Sequence, residues 1–367
     1  MTTQQTEYTE AELLATGDIA EPLIAAGVRC HGGFDGDGHY VSPRTANRGP
    51  AIEAWQAQHT EQFGTDLLAP PLEAWPDHYP SVAQAKVLIS RGVPEPVITT
   101  LTRIGTVEGF GAMIRHSLIP ALATRFAEDI RGTAMSHLGG GLYEAHARDE
   151  AGFGDEGGHK QMWFAARDVA FEQPPTEDET ATMISRMGIM PPGSPGAPPL
   201  AELRRQQEAA RVLPADIDFD LELLVERMTR LLFIEVSAFH TFAWAEEVLS
   251  DTDLVAGEGE AARLVSYIRA DETPHVEYLR TTLSEMRDRT WLGESGRPHP
   301  GSEMVGRVYD KCLTDSLGVR RKEMLRVTLS EVEHALAGHR AADAILEEFH
   351  SAGSIRPRPD GEWVSAA

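Results

Sequence analysis

Cysteine is nearly missing from this chain: 367 residues carry two, Cys30 and Cys312, far apart in sequence. A disulfide framework needs more, so both read as free thiols in a reducing, cytoplasmic setting. Positive charge is scarce too. Lysine and arginine total 33 against 57 aspartates and glutamates, a formal charge of −24 that is spread along the chain rather than gathered in a tail. Nucleic acid and anionic membranes would be repelled, and neither is expected as a partner. No stretch approaches the ~18 uninterrupted apolar residues of a membrane helix. The N-terminal MTTQQTEYTEAELLATGDIAEPL also lacks the basic start and apolar block of a signal peptide. What remains is the composition of a soluble protein with a packed core, 41% apolar and 25% charged.

Texture changes along the chain. Residues 1–104 are mixed: CHGGFDGDGHYVSPR reads as a short hairpin or loop, and APPLEAWPDHYPSVAQ has too many prolines for one helix. The DGDGH from Asp35 resembles the start of a calcium loop, but the later ligands and the closing glutamate are missing. This part is expected to wrap something else. Residues 105–290 are strongly helical, with helix A over about 106–136, helix B over about 142–172, helix C from Asp218 and helix D over about 258–287. A and B are joined by a glycine turn, C and D by SDTDLVAGEG, and the two hairpins by a long proline-rich crossover containing MPPGSPGAPPL. The pattern predicts an all-α fold, a four-helix bundle of two long antiparallel hairpins with one long crossover. Residues 291–367 add further helices over roughly 302–350 and a loose tail.

Two short motifs carry the chemistry. DEGGH (Asp155–His159) and DETPH (Asp271–His275) each set a glutamate three residues before a histidine, although three glycines surround the first and Pro274 interrupts the second. On a helix, residues three apart share a face, so Glu156 with His159, and Glu272 with His275, can reach one point. Metal sites in helical bundles add one further glutamate from each remaining helix. Counting from the turns places Glu128 opposite Glu156 and Glu235 opposite Glu272, with Glu108 and Glu144 as alternatives to Glu128. Glu235 lies in LLFIEVSAF, where a carboxylate is costly unless paired or bound to metal. Asp155 and Asp271, four residues before each histidine, are placed to fix the imidazoles from behind. His116, His137, His146 and His334 read as structural, whereas His240 is a candidate for a role near the site. Trp163, Phe239 and Phe242 read as core that could also line a substrate pocket.

Glu128…Asp155-Glu156-x-x-His159 and Glu235…Asp271-Glu272-x-x-His275 resemble the ferritin-like di-iron carboxylate superfamily, over about half the chain. The resemblance implies two iron ions, or manganese or a mixed pair, held by Glu128, Glu156, His159, Glu235, Glu272 and His275. It also implies O2, an electron donor and a small organic substrate that is hydroxylated, desaturated or N-oxygenated. A ferroxidase or peroxide-handling role predicts a shorter chain or a Cys-x-x-Cys module. A metal-free interaction protein predicts that Glu235 tolerates Ala or Gln without loss of stability. Oligomeric state is not legible.

Overall fold

The computed structural model describes residues 5–186, 199–358 and 362–365. The N-terminal part holds α1 (Glu10–Leu13), an antiparallel sheet of β1 (Glu21–Ala25), β2 (Val28–Phe34) and β3 (Tyr40–Val41), then α2 (Arg48–Phe63) and α3 (Val82–Ser90). Next come α4 (Glu95–Gly111), α5 (Tyr143–Ala151), α6 (His159–Ala170), α7 (Glu177–Arg186) and α8 (Leu200–Ala209). The long α9 (Phe219–Leu249) precedes α10 (Glu260–Asp271) and α11 (Thr273–Arg287). After a hairpin of β4 (Thr290–Leu292) and β5 (Pro298–Pro300) follow α12 (Gly301–Asp315), α13 (Arg321–Leu336) and α14 (Ala342–Ser351). The chain is mostly helical, and among the described residues no helix is long and apolar enough to cross a membrane.

The second predicted hairpin forms where the sequence places it. Asp218 caps α9 by accepting a hydrogen bond from the Asp220 amide, and Asp220 and Glu222 place negative charge in its first turn. Its 31 residues span about 45 Å. α10 and α11 are predicted helix D with one break: Pro274 has no N–H to donate, and the amides of His275 and Val276 both fall on the Glu272 carbonyl.

The first predicted hairpin is different. Helix A over 106–136 does not form: α4 begins earlier, at Glu95 behind Pro94, and continues only as a 3₁₀ turn over Ala112–His116. Pro120 removes a donor and disfavours helical backbone before it, and residues 117–137 are loops and short 3₁₀ turns. The domain boundary drawn at residue 104 therefore falls inside α4. Helix B is two helices, because Gly152 takes φ +81° after α5 and a tight turn pairs Phe153 with Glu156. Strand β2 then seizes the loop: Gly157 N–H donates to the Arg29 carbonyl and His31 N–H to the Gly157 carbonyl, both at 2.8 Å. A Cβ on Gly158 would sit 2.4 Å from the Asp149 carbonyl oxygen and from the Gly152 nitrogen. Gly158→Ala is therefore expected to cost about 1–3 kcal/mol, as overpacking does, read as a lowered urea midpoint. An unchanged midpoint would contradict the packing of this loop.

The crossover holds α7 and α8, and most of its proline-rich run lies outside the described residues. The tail read as loose pairs Ile355–Pro357 with Trp363–Ser365 as antiparallel strands. Two large apolar clusters fill the interior. One takes Met228, Leu232 and Val236 from α9 with Tyr278 and Leu279 from α11; the other takes Phe242 and Ala245 from α9 with Trp163 from α6 and Ile268 from α10. Near where the two clusters meet, α9 and the α10–α11 junction carry buried acids and imidazoles, and that layer is the site.

Candidate metal centre

Four helical segments send acids and imidazoles into the layer between the two cores. α5 supplies His146 and Glu150, four apart and so on one face. α6 supplies His159 as its first residue, α9 supplies Glu235, and the α10–α11 break supplies Glu272 and His275. Glu108 of α4 approaches from the side, its carboxylate 3.8 Å from His159 Nδ1. His146, Glu150, His159, Glu235, Glu272 and His275 are all at least 96% buried, since none exceeds 4% exposure.

The donor atoms point at common centres. Glu150, His159, Glu272 and His275 bring ligand atoms within 4.8 Å of one another, as do His146, Glu150, Glu235 and His275. Glu150 and His275 belong to both groups, so the two centres share an edge. His159 Nδ1 lies 2.9 Å from Glu272 Oε1, yet neither atom has hydrogen-bond geometry to any partner. Both oxygens of Glu150 and Nε2 of His146 are likewise buried without a partner. Buried polar atoms are nearly always satisfied, so this concentration of orphans needs a missing partner. Metal ions placed between them would satisfy all five.

Electrostatics agree. Burial, then Glu150, raises the Glu108 carboxyl well above its ordinary range, and burial, then Glu272 and Glu150, does the same to Glu235. Burial alone would strip protons from His159 and His275, but facing carboxylates, Glu272 foremost, hold both well above the usual imidazole value. His146 is pushed down to about 3 by burial and by His275, which leaves it neutral and able to ligate. Once Glu108 and Glu235 give up their protons, these two with Glu150 and Glu272 carry four negative charges, which two dications would balance.

Behind the cluster lies a ring of orienting groups. His275 Nε2 is 3.0 Å from Asp149 Oδ2, and His146 Nδ1 is 3.3 Å from the Tyr278 hydroxyl. His159 Nε2 faces Asp271 Oδ2 at 3.6 Å, beyond hydrogen-bond length. Each aspartate thus stands next to one glutamate in sequence while backing the histidine of the other half: Asp149-Glu150 serves His275, and Asp271-Glu272 serves His159. The N-terminal segment clamps both aspartates. Asp271 accepts from the Tyr40 hydroxyl at 2.8 Å and faces His31 Nε2 at 3.1 Å. Asp149 pairs with Arg44 at 2.5 Å and Arg48 at 2.8 Å, and Arg44 also reaches His31 Nδ1 at 3.1 Å. Asp271→Asn is expected to weaken metal binding about 10–100-fold, measured by titration of the metal-free protein; an unchanged affinity would remove Asp271 from the account.

Of the residues predicted from sequence, the structure brings His159, Glu235, Glu272 and His275 together. It does not bring Glu128 or Glu156. Without helix A, Glu128 reaches the β4 edge instead, accepting from the Thr290 amide at 2.9 Å and hydroxyl at 3.0 Å. Glu156 lies in the turn beyond α5 and pairs with Arg29 at 3.2 Å, as Asp155 does at 3.3 Å with 82% of its side chain exposed. Glu150 stands in the cluster in their stead, and Glu108 borders it, 3.8 Å from His159 Nδ1. Glu144 pairs with Arg115 and Arg148. His146, read as structural, is a member; the signal for it was HARDE, an acid four residues after a histidine ending in a second Asp-Glu pair.

A cavity of about 400 Å³ adjoins the cluster, with Glu108, His240 and Phe242 among its lining residues. Phe239 faces a neighbouring groove with Trp244 and Val276, and His240 lines both spaces. Trp163 lines neither: it is fully buried, with its ring centroid 5.2 Å from that of Phe242. No protein-family model matches the chain, and neither curated proteins nor solved structures give a significant match.

Proposed function

We propose that the chain binds two iron ions between Glu108, His146, Glu150, His159, Glu235, Glu272 and His275 and is an O2-dependent oxidoreductase acting on a small organic molecule. The observation that carries this reading is the set of buried, unpartnered carboxylate and imidazole atoms converging on two centres that share Glu150 and His275. Oxygen-rich ligation with a few imidazoles suits iron or manganese better than softer metals. Bound there, two ferrous ions would supply electrons for the reduction of O2, to be restored by an external donor.

The protein's own residues do the rest. Asp149 and Tyr278 hold His275 and His146 in place and Asp271 faces the outer nitrogen of His159, so each imidazole presents its inner nitrogen to the centre. The apolar clusters on either side exclude water from the layer. Glu108 borders the cavity, so a molecule bound there lies beside the centre. That cavity favours an organic substrate over iron storage or peroxide removal, neither of which needs a largely apolar space of this size beside the centre. Metal uptake requires deprotonated ligands and is expected to weaken as the pH falls, because His159, His275, Glu108 and Glu235 all hold protons above their ordinary pKa.

The test is anaerobic loading with Fe(II) followed by exposure to O2 in a stopped-flow spectrometer with an oxygen electrode in parallel. Rapid O2 consumption with a transient visible absorption is expected from the wild type and not from Glu235→Gln. Iron-loaded protein that takes up O2 no faster than free Fe(II) would overturn the reading.

A further inference from the structure

The cavity beside Glu108 is walled on one side by a helix that breaks its own regularity. α12 and α13 run through residues 316–320 as a single π turn with helical backbone on both sides. Such bulges shift the side chains that follow them and recur at functional positions. Here the bulge places Ser316, Leu317, Arg320 and Arg321 on the cavity wall.

Four arginines line the space, and three are engaged. Arg103 pairs with Glu331, Arg230 with Asp315 at 2.7 Å and Glu226 at 2.9 Å, and Arg320 with Asp315 at 3.4 Å. Arg321 has no acidic partner among the described residues. It is half-buried, and burial alone shifts its pKa, downward, with no carboxylate acting on it. A half-buried guanidinium with no acidic partner leaves its donors free for an incoming anion, and charge-assisted hydrogen bonds to it are the strong ones. The chain's charge of −24 makes an unpaired cation facing an apolar space still more unusual. Around it the lining is largely hydrocarbon, with Phe233, Ile234, Phe242, Met324 and Leu325.

We propose that this cavity binds an organic monocarboxylate, its apolar body against Phe233, Phe242 and Leu325 and its carboxylate on Arg321. One negative charge is favoured over two because Asp77 lines the same space and would oppose a dianion. The carboxylate end is then fixed by Arg321, and part of the hydrocarbon body is left toward Glu108. The inference deepens the oxidoreductase reading and rests on it for the chemistry, but not for the binding.

The experiment compares 4-phenylbutyrate with 4-phenylbutan-1-ol by calorimetry on the full chain, metal-free and loaded with redox-silent Zn(II). The acid is expected to bind at least about tenfold more tightly than the alcohol, the lower end of what a hydrogen bond to a charged group contributes. In Arg321→Gln that ratio should fall to about one while alcohol binding holds, and Arg321→Lys should keep part of it. Equal binding of acid and alcohol by the wild type, a ratio unmoved in Arg321→Gln, or no binding of either probe would overturn the proposal. Acid preference in a chain that takes up no metal would support it and overturn the di-metal reading alone. Two bound metals without acid preference would do the reverse.

Discussion

Glu150→Ala is expected to lower the affinity for divalent metal by on the order of 100-fold or more, a ligand's loss exceeding that of an orienting group, whereas Glu156→Ala should leave it unchanged. The two residues lie six apart, and a helix running through 142–172 would favour Glu156. The Gly152–Gly158 loop decides between them by ending α5 one residue after Glu150 and turning Glu156 out to Arg29. The same contrast applies to the other reassigned pair: Glu108→Ala should weaken binding, while Glu128→Ala should affect only the anchoring of Thr290. Titration of metal-free protein with Fe(II) under argon reads all four. Retained binding in Glu150→Ala with loss in Glu156→Ala would show that the loop closes differently from the structure. In the absence of metal no such loss is expected. Burial, Glu272 and Glu150 already hold the Glu235 carboxyl protonated in the metal-free chain, so Glu235→Gln should cost that chain little or no stability, and a variant that unfolds no earlier in urea yet binds no metal is the signature of a ligand.

The second large effect falls outside the ligands. Arg48→Leu is expected to destabilise the protein by about 3–5 kcal/mol, because it strips one of two cations from a fully buried aspartate. Burial pushes the Asp149 carboxyl up, and Arg48 and Arg44 together outweigh it and hold the group well below its ordinary range. With Arg48 gone, either Asp149 takes up a proton or Arg44 bears the whole charge; in both cases the support behind His275 loosens. Arg48 lies at the start of α2 and Arg44 just before it, so these residues tie the N-terminal segment to the centre. The effect should appear in urea unfolding of metal-free protein and, separately, as weakened metal binding. A midpoint within about 0.5 kcal/mol of wild type, the range of an ordinary surface change, would mean that Arg44 alone suffices.

Much of the second half of the site is legible in sequence because α9 and α10–α11 are nearly continuous helices. There the three-residue spacing of Glu272 and His275 survives folding, and counting from a short turn finds Glu235. The first half defeats the same reasoning. Glu150 and His159 lie nine apart with a glycine loop between them, and no helical period links such a pair. Asp155-Glu156-x-x-His159 repeats the local pattern of the second motif without its geometry, while the true counterpart of Asp271-Glu272 is Asp149-Glu150. Glu108 could be named from sequence only as an alternative to Glu128; choosing it requires knowing that α4 starts behind Pro94 and packs where Gly111 admits the Glu150 side chain, a Cβ there lying 2.6 Å from Glu150 Cγ. Nor does anything local in Tyr40-x-x-x-Arg44 announce that it backs a site more than a hundred residues away. Such partners are set by tertiary packing, and periodicity carries no trace of them.

The central claim is that four glutamates and three histidines converge to hold two metal ions. Anaerobic calorimetric titration of the metal-free full chain with Fe(II), checked by elemental analysis of the desalted product, tests it directly. Two ions per chain, reduced to one or none in Glu150→Ala and Glu272→Ala and kept at two in Glu156→Ala, is the predicted result. Fewer than about 0.2 ions per wild-type chain, with no heat beyond dilution, would contradict it, and the buried acids would then be a feature of the fold with no metal to explain them.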